Sequence, residues 1–346
     1  MPVSPVDAEG MARNLLDVYT RAEVEIMRII ARALARGLDA PQWAANKLAE
    51  ISTIKRKLEK VVEVITKEVG VEIAKAVEEA YMLGQRKADH DLRAIGFDMI
   101  KTGLSRIDRR KVAVLAETLR GTLEGTHLRI VRQSLDEYRT IIGKTVEMME
   151  VGVLTREQAT QAGLNKFADR GITGFQDRSG RNWTLTSYAE MATRTTYGQS
   201  ALEGTMQRLR DNNLDLVVIS YHSGSCPLCE PWEGEVLSMG GSKDYPSLDT
   251  AISEGLFHPN CGHSLGAYVE GLTTIEKVTH DPKEYENRQK QRKMERDIRF
   301  WKKREAVAIS EGERLKARIK VREKQANMRA FIEDTGLTRQ RHREQI

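Results

Sequence analysis

The chain has 346 residues, 40% of them hydrophobic, 5% aromatic and 30% charged. So few aromatics argue against a large, tightly packed β core, and so many charges suit long helices with solvated faces. The formal net charge is +5, no apolar run approaches the roughly 18 residues of a membrane span, and the opening MPVSPVDAEGMARNLL lacks the basic-then-apolar order of a secretory signal.

The length suits two or three domains. The expected fold is mainly α with a small central α+β zinc-knuckle region. It comprises a helical N-terminal domain over 1–150, a central α+β domain over 151–280 and a long basic C-terminal helix within 281–346. Synthesis in the cytosol, or assembly there into a particle, fits the absence of a signal.

Proline punctuates the chain sparsely: after positions 2, 5 and 41 the next is Pro227. The proline-free run, rich in Ala, Leu, Glu, Lys and Arg, predicts helices. Apolar residues recur every three or four positions at Leu16, Tyr19, Val24, Met27, Ile30 and Leu34, and again at Val61, Ile65, Val69, Ile73 and Val77. Ser4 or Asp7 is placed to cap the first helix, and Asp39-Ala40-Pro41 marks a break before the next. Further helices are expected over Arg109 to Gly121 and Thr126 to Met149. These stripes are core faces and carry no functional weight.

Around Asp169 the texture changes. The stretch to Asn182 reads as a loop or short hairpin turning at Ser179-Gly180-Arg181-Asn182, with a helical pattern from Thr186. Leu214 to Tyr221 is the clearest strand, and Glu235 to Ser238 a weaker one. From Pro282 to about Ala330 the pattern is one polar helix with sparse apolar positions at Met294, Ile298, Trp301, Val307, Leu315 and Ile319. Such a helix must lean on the body, on another subunit or on nucleic acid. From Asp281 onward there are 20 Lys+Arg against 12 Asp+Glu, which leaves 35 against 38 for residues 1–280. The basic surplus therefore sits in the tail and points to an acidic partner, with a solvated mixed-charge helix as the bland alternative.

The residues that carry chemistry lie between Tyr221 and His263. Cys226 and Cys229 form a C-x2-C pair, the spacing that lets two thiolates grip one zinc from a tight turn. His258, Cys261 and His263 follow, and His222 lies just upstream. All three cysteines fall in this stretch, an odd and clustered set that suits metal ligation better than disulfides. The expected ligands are Cys226, Cys229, Cys261 and either His258 or His263, with the spare histidine orienting a ligand. The competing reading is reduced cysteines in a small β core with hydrogen-bonded histidines. The loops here bury little apolar area, so a metal would supply much of the local folding free energy. A catalytic zinc of the deaminase kind calls for H-x-E and P-C-x-x-C. Here His222 is followed by Ser-Gly and the pair reads S-C-P-L-C, and four protein ligands leave no open position. Glu230 and Glu233 are the nearby candidate bases, with a surface carboxylate the commoner role.

At these residues the chain resembles the phage minor capsid protein 2 family, related to the wider group of Mu F-like minor head proteins. The resemblance rests on SYHSGSCPLCEPWEG, YPSLDTAISEGLFHPNCGHSLGAYVEG and SGRNWTLTSYAEMATRTT, and extends to EYENRQKQRKMERDIRFWKKRE and MRAFIEDTGLTRQRHRE. It implies a low-copy, non-enzymatic virion component, associated with the portal protein and other capsid proteins and serving head assembly, DNA packaging or ejection. The family often has Arg where this chain has Gly262, and Cys where it has His263. A second reading is a DNA-binding zinc-knuckle protein whose C-terminal helix contacts packaged DNA, its binding weakening with salt. A third is a zinc hydrolase or nuclease drawing on Arg181, Arg194 and His222.

Overall fold

A computed structural model describes residues 5–346 apart from 99, 101–104, 177–179, 181, 223, 259, 260, 279 and 280. Its elements in chain order are α1 (Pro5–Ala35), α2 (Trp43–Ala49), α3 (Ile51–Ala94), α4 (Arg106–Glu150), α5 (Arg156–Arg170), β1 (Thr173–Gln176), β2 (Asn182–Thr184) and α6 (Leu185–Asp211). There follow β3 (Leu216–Ile219), β4 (Val236–Ser238), α7 (Leu248–Ser253), β5 (Leu265–Ala267), α8 (Pro282–Ala306) and α9 (Glu311–Thr335). The fold is mainly helical with a small antiparallel sheet, as the composition predicts.

Local chemistry accounts for the helix ends. Gly37, at φ 63°, follows the end of α1 in the left-handed region that favours glycine. Thr155 caps α5 in a reciprocal capping box with Gln158. Because α1 begins at Pro5, Asp7 lies inside the helix rather than at its cap, and Ser4 lies outside the described residues. The expected apolar stripes are the inward faces: Tyr19, Val24, Met27, Ile30 and Leu34 are buried, as are Ile65, Val69, Ile73 and Val77.

Two helix expectations need correction. The chain from Arg106 to Glu150 is one helix, not two. Gly121 and Gly125 weaken helix propensity by about 1 kcal/mol each, but buried Leu119, Leu123, His127 and Ile130 keep the three-and-four spacing through them. Conversely, the basic tail is not one long helix. It breaks at Val307–Ile309, where Val307 and Ala308 are buried and the Ser310 side chain accepts the Glu313 N–H to start α9. The tail is also no free-standing element, since Ile298, Ala317, Val321, Met328 and Phe331 are buried, while Leu315 and Ile319 are exposed.

The expected short hairpin is present as the antiparallel pair β1–β2, its turn at 179–182 lying partly outside the described residues. The three-stranded sheet has order β4-β3-β5, antiparallel throughout. Its third strand, β5, was not expected from the sequence.

The chain forms two compact units from discontinuous stretches. Unit 1 comprises residues 1–15, 70–122 and 190–287, and unit 2 comprises 16–69, 123–189 and 288–346. In unit 1, α3 and α6 pack at backbone contact through glycine. A Cβ at Gly84 would lie 1.9 Å from the Ala201 carbonyl oxygen, and one at Gly204 would lie 2.1 Å from that of Tyr81. The Ser200 hydroxyl donates to the Val77 carbonyl at 2.8 Å and that of Thr205 to the Gly84 carbonyl at 3.1 Å. In unit 2, the buried Glu23 carboxylate accepts from the Ile172 N–H at 3.2 Å, the Thr186 hydroxyl at 2.7 Å and Lys303 Nζ at 2.9 Å. Burial opposes its charge, but Lys303 and these donors outweigh burial and hold its pKa below the ordinary carboxylate value.

Candidate metal centre

The sheet of unit 1 explains how residues distant in sequence converge. Ile219 ends β3 and pairs with Leu265, which starts β5, and the Ser220 N–H continues the ladder to the Ser264 carbonyl at 2.9 Å. The loop leaving β3 and the loop entering β5 therefore emerge side by side at one end of the sheet. The first carries Cys226 and Cys229; the second carries His258, Cys261 and His263.

Each loop makes a tight turn around an x2 pair. The Cys229 N–H donates to the Cys226 carbonyl at 3.0 Å, and the Cys261 N–H donates to the His258 carbonyl at 2.8 Å. The same bond, from an N–H to the carbonyl three residues earlier, thus links Cys226 with Cys229 and His258 with Cys261. Across them, Cys226 Sγ lies 3.1 Å from His258 Nε2 and Cys229 Sγ lies 3.4 Å from Cys261 Sγ. Two triads can each hold a metal ion and share Cys229: one adds Cys226 and His258, the other Cys261 and His263. Backbone strain sits at the second turn, where Phe257, just before His258, has φ 59°. A bulky residue in the left-handed region persists only where its surroundings impose it.

His263 is held differently from His258. Its ring is buried, with Nε2 at 2.7 Å from Glu233 Oε1 and 3.2 Å from Ser225 Oγ, and Nδ1 at 3.5 Å from Cys261 Sγ. Glu233 also accepts the His222 N–H at 2.8 Å. Glu233 is therefore a buried positioning group, not the surface carboxylate that its sequence context suggests, while Glu230 is exposed. The His222 ring lies beside that of His263, with centroids 5.8 Å apart. Arg194 is ion-paired with Glu190 at 2.8 Å on α6, and Arg181 lies outside the described residues.

The thiols are electrostatically uneven. A hydrogen bond from Cys229 and the neighbouring His263 bring Cys261 down to about 4, whereas the same contact and burial push Cys229 up. Burial disfavours the charged form of His263, but Cys261 and Glu233 outweigh it and raise its pKa. A divalent metal would displace the thiol protons of the cysteines it binds, because a coordinating sulfur is deprotonated.

The surrounding packing corrects one expectation. Cys229 is part of an apolar cluster with Val217, Ile219, Leu237, Leu256 and Leu265, extended by Ala88 and Leu92 of α3 and Leu209 of α6. The region does have cohesion of its own, because α3 and α6 supply the apolar surface that its loops lack. The sequence marks Glu233 only as a candidate base or surface carboxylate, and neither its burial against His263 nor these helix contacts is legible there. The run Cys229-Glu-Pro-Trp-Glu-Gly234 was the available signal, since Trp232 packs against the apolar cluster and the Glu233 side chain is buried.

The family model described as phage minor capsid protein 2 matches residues 3–333. A protein of Lactococcus phage LL-H, named as a structural protein, is 29% identical over 229 residues, covering 61% of this chain. The match spans 62% of that relative's own length. No solved structure matches the chain.

Proposed function

The chain belongs to the phage minor capsid protein 2 family, and on that premise we propose that it is a low-copy structural component of the phage head. In this reading it sits with the portal protein and other capsid proteins and carries a structural zinc ion, supporting head assembly and DNA packaging or ejection. The observation that carries the head assignment is a family match over almost the whole chain rather than over one motif. Among the described residues no helix is long and apolar enough to cross a membrane.

For the metal, we assign Cys226, Cys229, His258 and Cys261 as ligands and His263 as the group that orients Cys261. The two like x2 turns favour this set, each closing the same N–H to carbonyl bond. A tetrahedron with bonds of about 2.3 Å to sulfur and about 2.0 Å to nitrogen has edges of roughly 3.5 Å between sulfur and nitrogen and roughly 3.8 Å between sulfurs. The 3.1 Å and 3.4 Å separations across the turns lie within about 0.4 Å of those edges. Cys261 groups with Cys229 and His263 rather than with Cys226 and His258, so closing the sphere would draw it toward that pair. Four protein ligands close the coordination sphere, which is the pattern of a structural site. Glu233, engaged by His263 and the His222 backbone, serves this shell rather than a reaction. Zinc here would clamp the two loops at the end of the sheet.

Two measurements test the two parts. Elemental analysis of protein purified without chelator should find about one zinc per chain, and none in the Cys226→Ser/Cys229→Ser double variant. Metal-free wild type overturns the site. Quantitative mass spectrometry of nuclease-treated virions should find the chain far below the major capsid protein in copy number. Its absence from such particles overturns the head assignment.

A further inference from the structure

Unit 2 contains a recess of about 600 Å3 whose lining includes Arg28, Arg32, Lys302, Glu305, Arg314 and Arg318. Five cationic side chains there face one acidic side chain. Arg318 engages that acid, Glu305, at 3.0 Å, and Arg314 engages Glu311 at 2.8 Å. Lys302 donates to the amide oxygen Gln345 Oε1 at 2.9 Å, and Glu344 and Glu305 lie near enough to favour its charge. Its pKa is held below the ordinary lysine value, chiefly by burial. Arg28 and Arg32 lie one turn apart on α1, both exposed, and neither meets an acid among the described residues. Their neighbours in sequence differ: Arg21 reaches Glu68 and Arg36 reaches Glu50.

We propose that this recess binds the phosphodiester backbone of nucleic acid, with Arg28 and Arg32 as its principal contacts. The guanidinium fork matches a phosphate with two parallel N–H bonds, and Arg28 and Arg32 have both forks uncommitted. The arrangement of the rim favours a strand over an isolated anion. Arg314, Arg318 and the exposed Arg322 follow at every fourth position of α9. That row spans about 12 Å of helix axis, over which one strand of B-form DNA offers roughly three phosphates. An acidic peptide is the weaker fit, because tight peptide sites rely on large buried anchors. The apolar part of this lining is alanines with Ile309 and Ile346. Binding through phosphates alone ignores sequence, which suits a protein facing packaged genome. The inference rests on the head-protein reading for the source of that nucleic acid.

The test is fluorescence anisotropy of the full zinc-loaded chain with a duplex of about 30 base pairs, titrated between roughly 50 and 200 mM salt. The Arg28→Gln/Arg32→Gln variant should weaken binding by about tenfold and lower the slope of log K against log salt by about 2, one for each lost phosphate contact. The control Arg132→Gln/Arg139→Gln removes two exposed cations on α4 and should leave both quantities unchanged. Pyrophosphate should compete with the duplex for the wild type and much less for the recess variant. Unchanged affinity and slope in a recess variant with wild-type circular dichroism overturn the proposal. So does a wild type that ignores DNA yet binds a polyglutamate peptide. The variant's presence in virions, scored separately, distinguishes failure of the recess from failure of the head assignment.

Discussion

Replacing Gly204 by alanine puts a methyl group 2.1 Å from the Tyr81 carbonyl oxygen, well inside van der Waals contact. The obstacle is backbone on the facing helix, so no side-chain rotation relieves it, and α3 and α6 must move apart by more than an ångström. Overpacking of this kind costs about 1–3 kcal/mol. Separation also stretches the Ser200–Val77 and Thr205–Gly84 hydrogen bonds, each worth about 1 kcal/mol. Alanine recovers only about 1 kcal/mol through helix propensity. The net expectation is destabilisation by about 2–4 kcal/mol. Gly198 is the matched control: it lies in the same helix, and a Cβ there meets nothing within 4 Å. Gly198→Ala should therefore raise stability by up to about 1 kcal/mol. Both are read from guanidinium unfolding midpoints at unchanged m-value. If Gly204→Ala stabilises the protein as Gly198→Ala does, the close helix crossing is wrong.

Further outcomes follow from other sites. If the proposed zinc is bound, chelation should increase amide exchange first in the two ligand loops, 222–230 and 256–263, leaving the strands and the flanking parts of α3 and α6 protected, because the apolar cluster persists without it. Simultaneous loss of protection throughout unit 1 would instead make the metal the main source of its cohesion. Glu23→Gln removes the charge facing Lys303 in a buried site and should cost about 3 kcal/mol, read by thermal or chemical unfolding; a neutral result would mean water screens the pair. His127 is buried in unit 2, with Nε2 2.7 Å from the Tyr19 hydroxyl and Nδ1 3.0 Å from that of Thr66. Thr66 itself donates to the Val62 carbonyl at 2.9 Å, so Nδ1 carries the imidazole proton and Nε2 accepts from Tyr19. Burial lowers the His127 pKa to about 4. The folded state therefore resists a proton that the unfolded state accepts near pH 6.5, and the stability from neutral His127 is present above that pH. It should fade as pH falls toward 4, by up to about 3 kcal/mol, and a His127→Phe variant should lose that part of the pH dependence. A resonance assigned to His127 by its loss in the His127→Phe variant, if it titrated near 6.5, would contradict this.

Much of the protein was legible in the sequence because the relevant physics is local. Helical character followed from the proline-free run and the apolar spacing, whose positions from Tyr19 to Leu34 are the buried ones. The C-x2-C pair and the histidines after it marked the candidate metal centre, because ligand spacing in a tight turn is a short-range property. The family resemblance, too, was carried by contiguous motifs.

Tertiary structure decided what depends on contacts between distant residues. Gly121 and Gly125 look like a boundary, yet burial of Leu119, Leu123 and His127 carries α4 through them. The tail's break at Val307 is set by where that residue enters a core, which its polar surroundings conceal. β5 is three residues long and exists through its pairing with β3, and that pairing alone brings His258 and Cys261 opposite Cys226 and Cys229. Glu233 reads as one more surface acid until the fold buries it against His263. Arg28 reads as a solvated face until α8 and α9 gather further cations around it. Spacing along a chain fixes which side chains share a turn or a face, whereas which faces meet depends on burial summed over the whole chain.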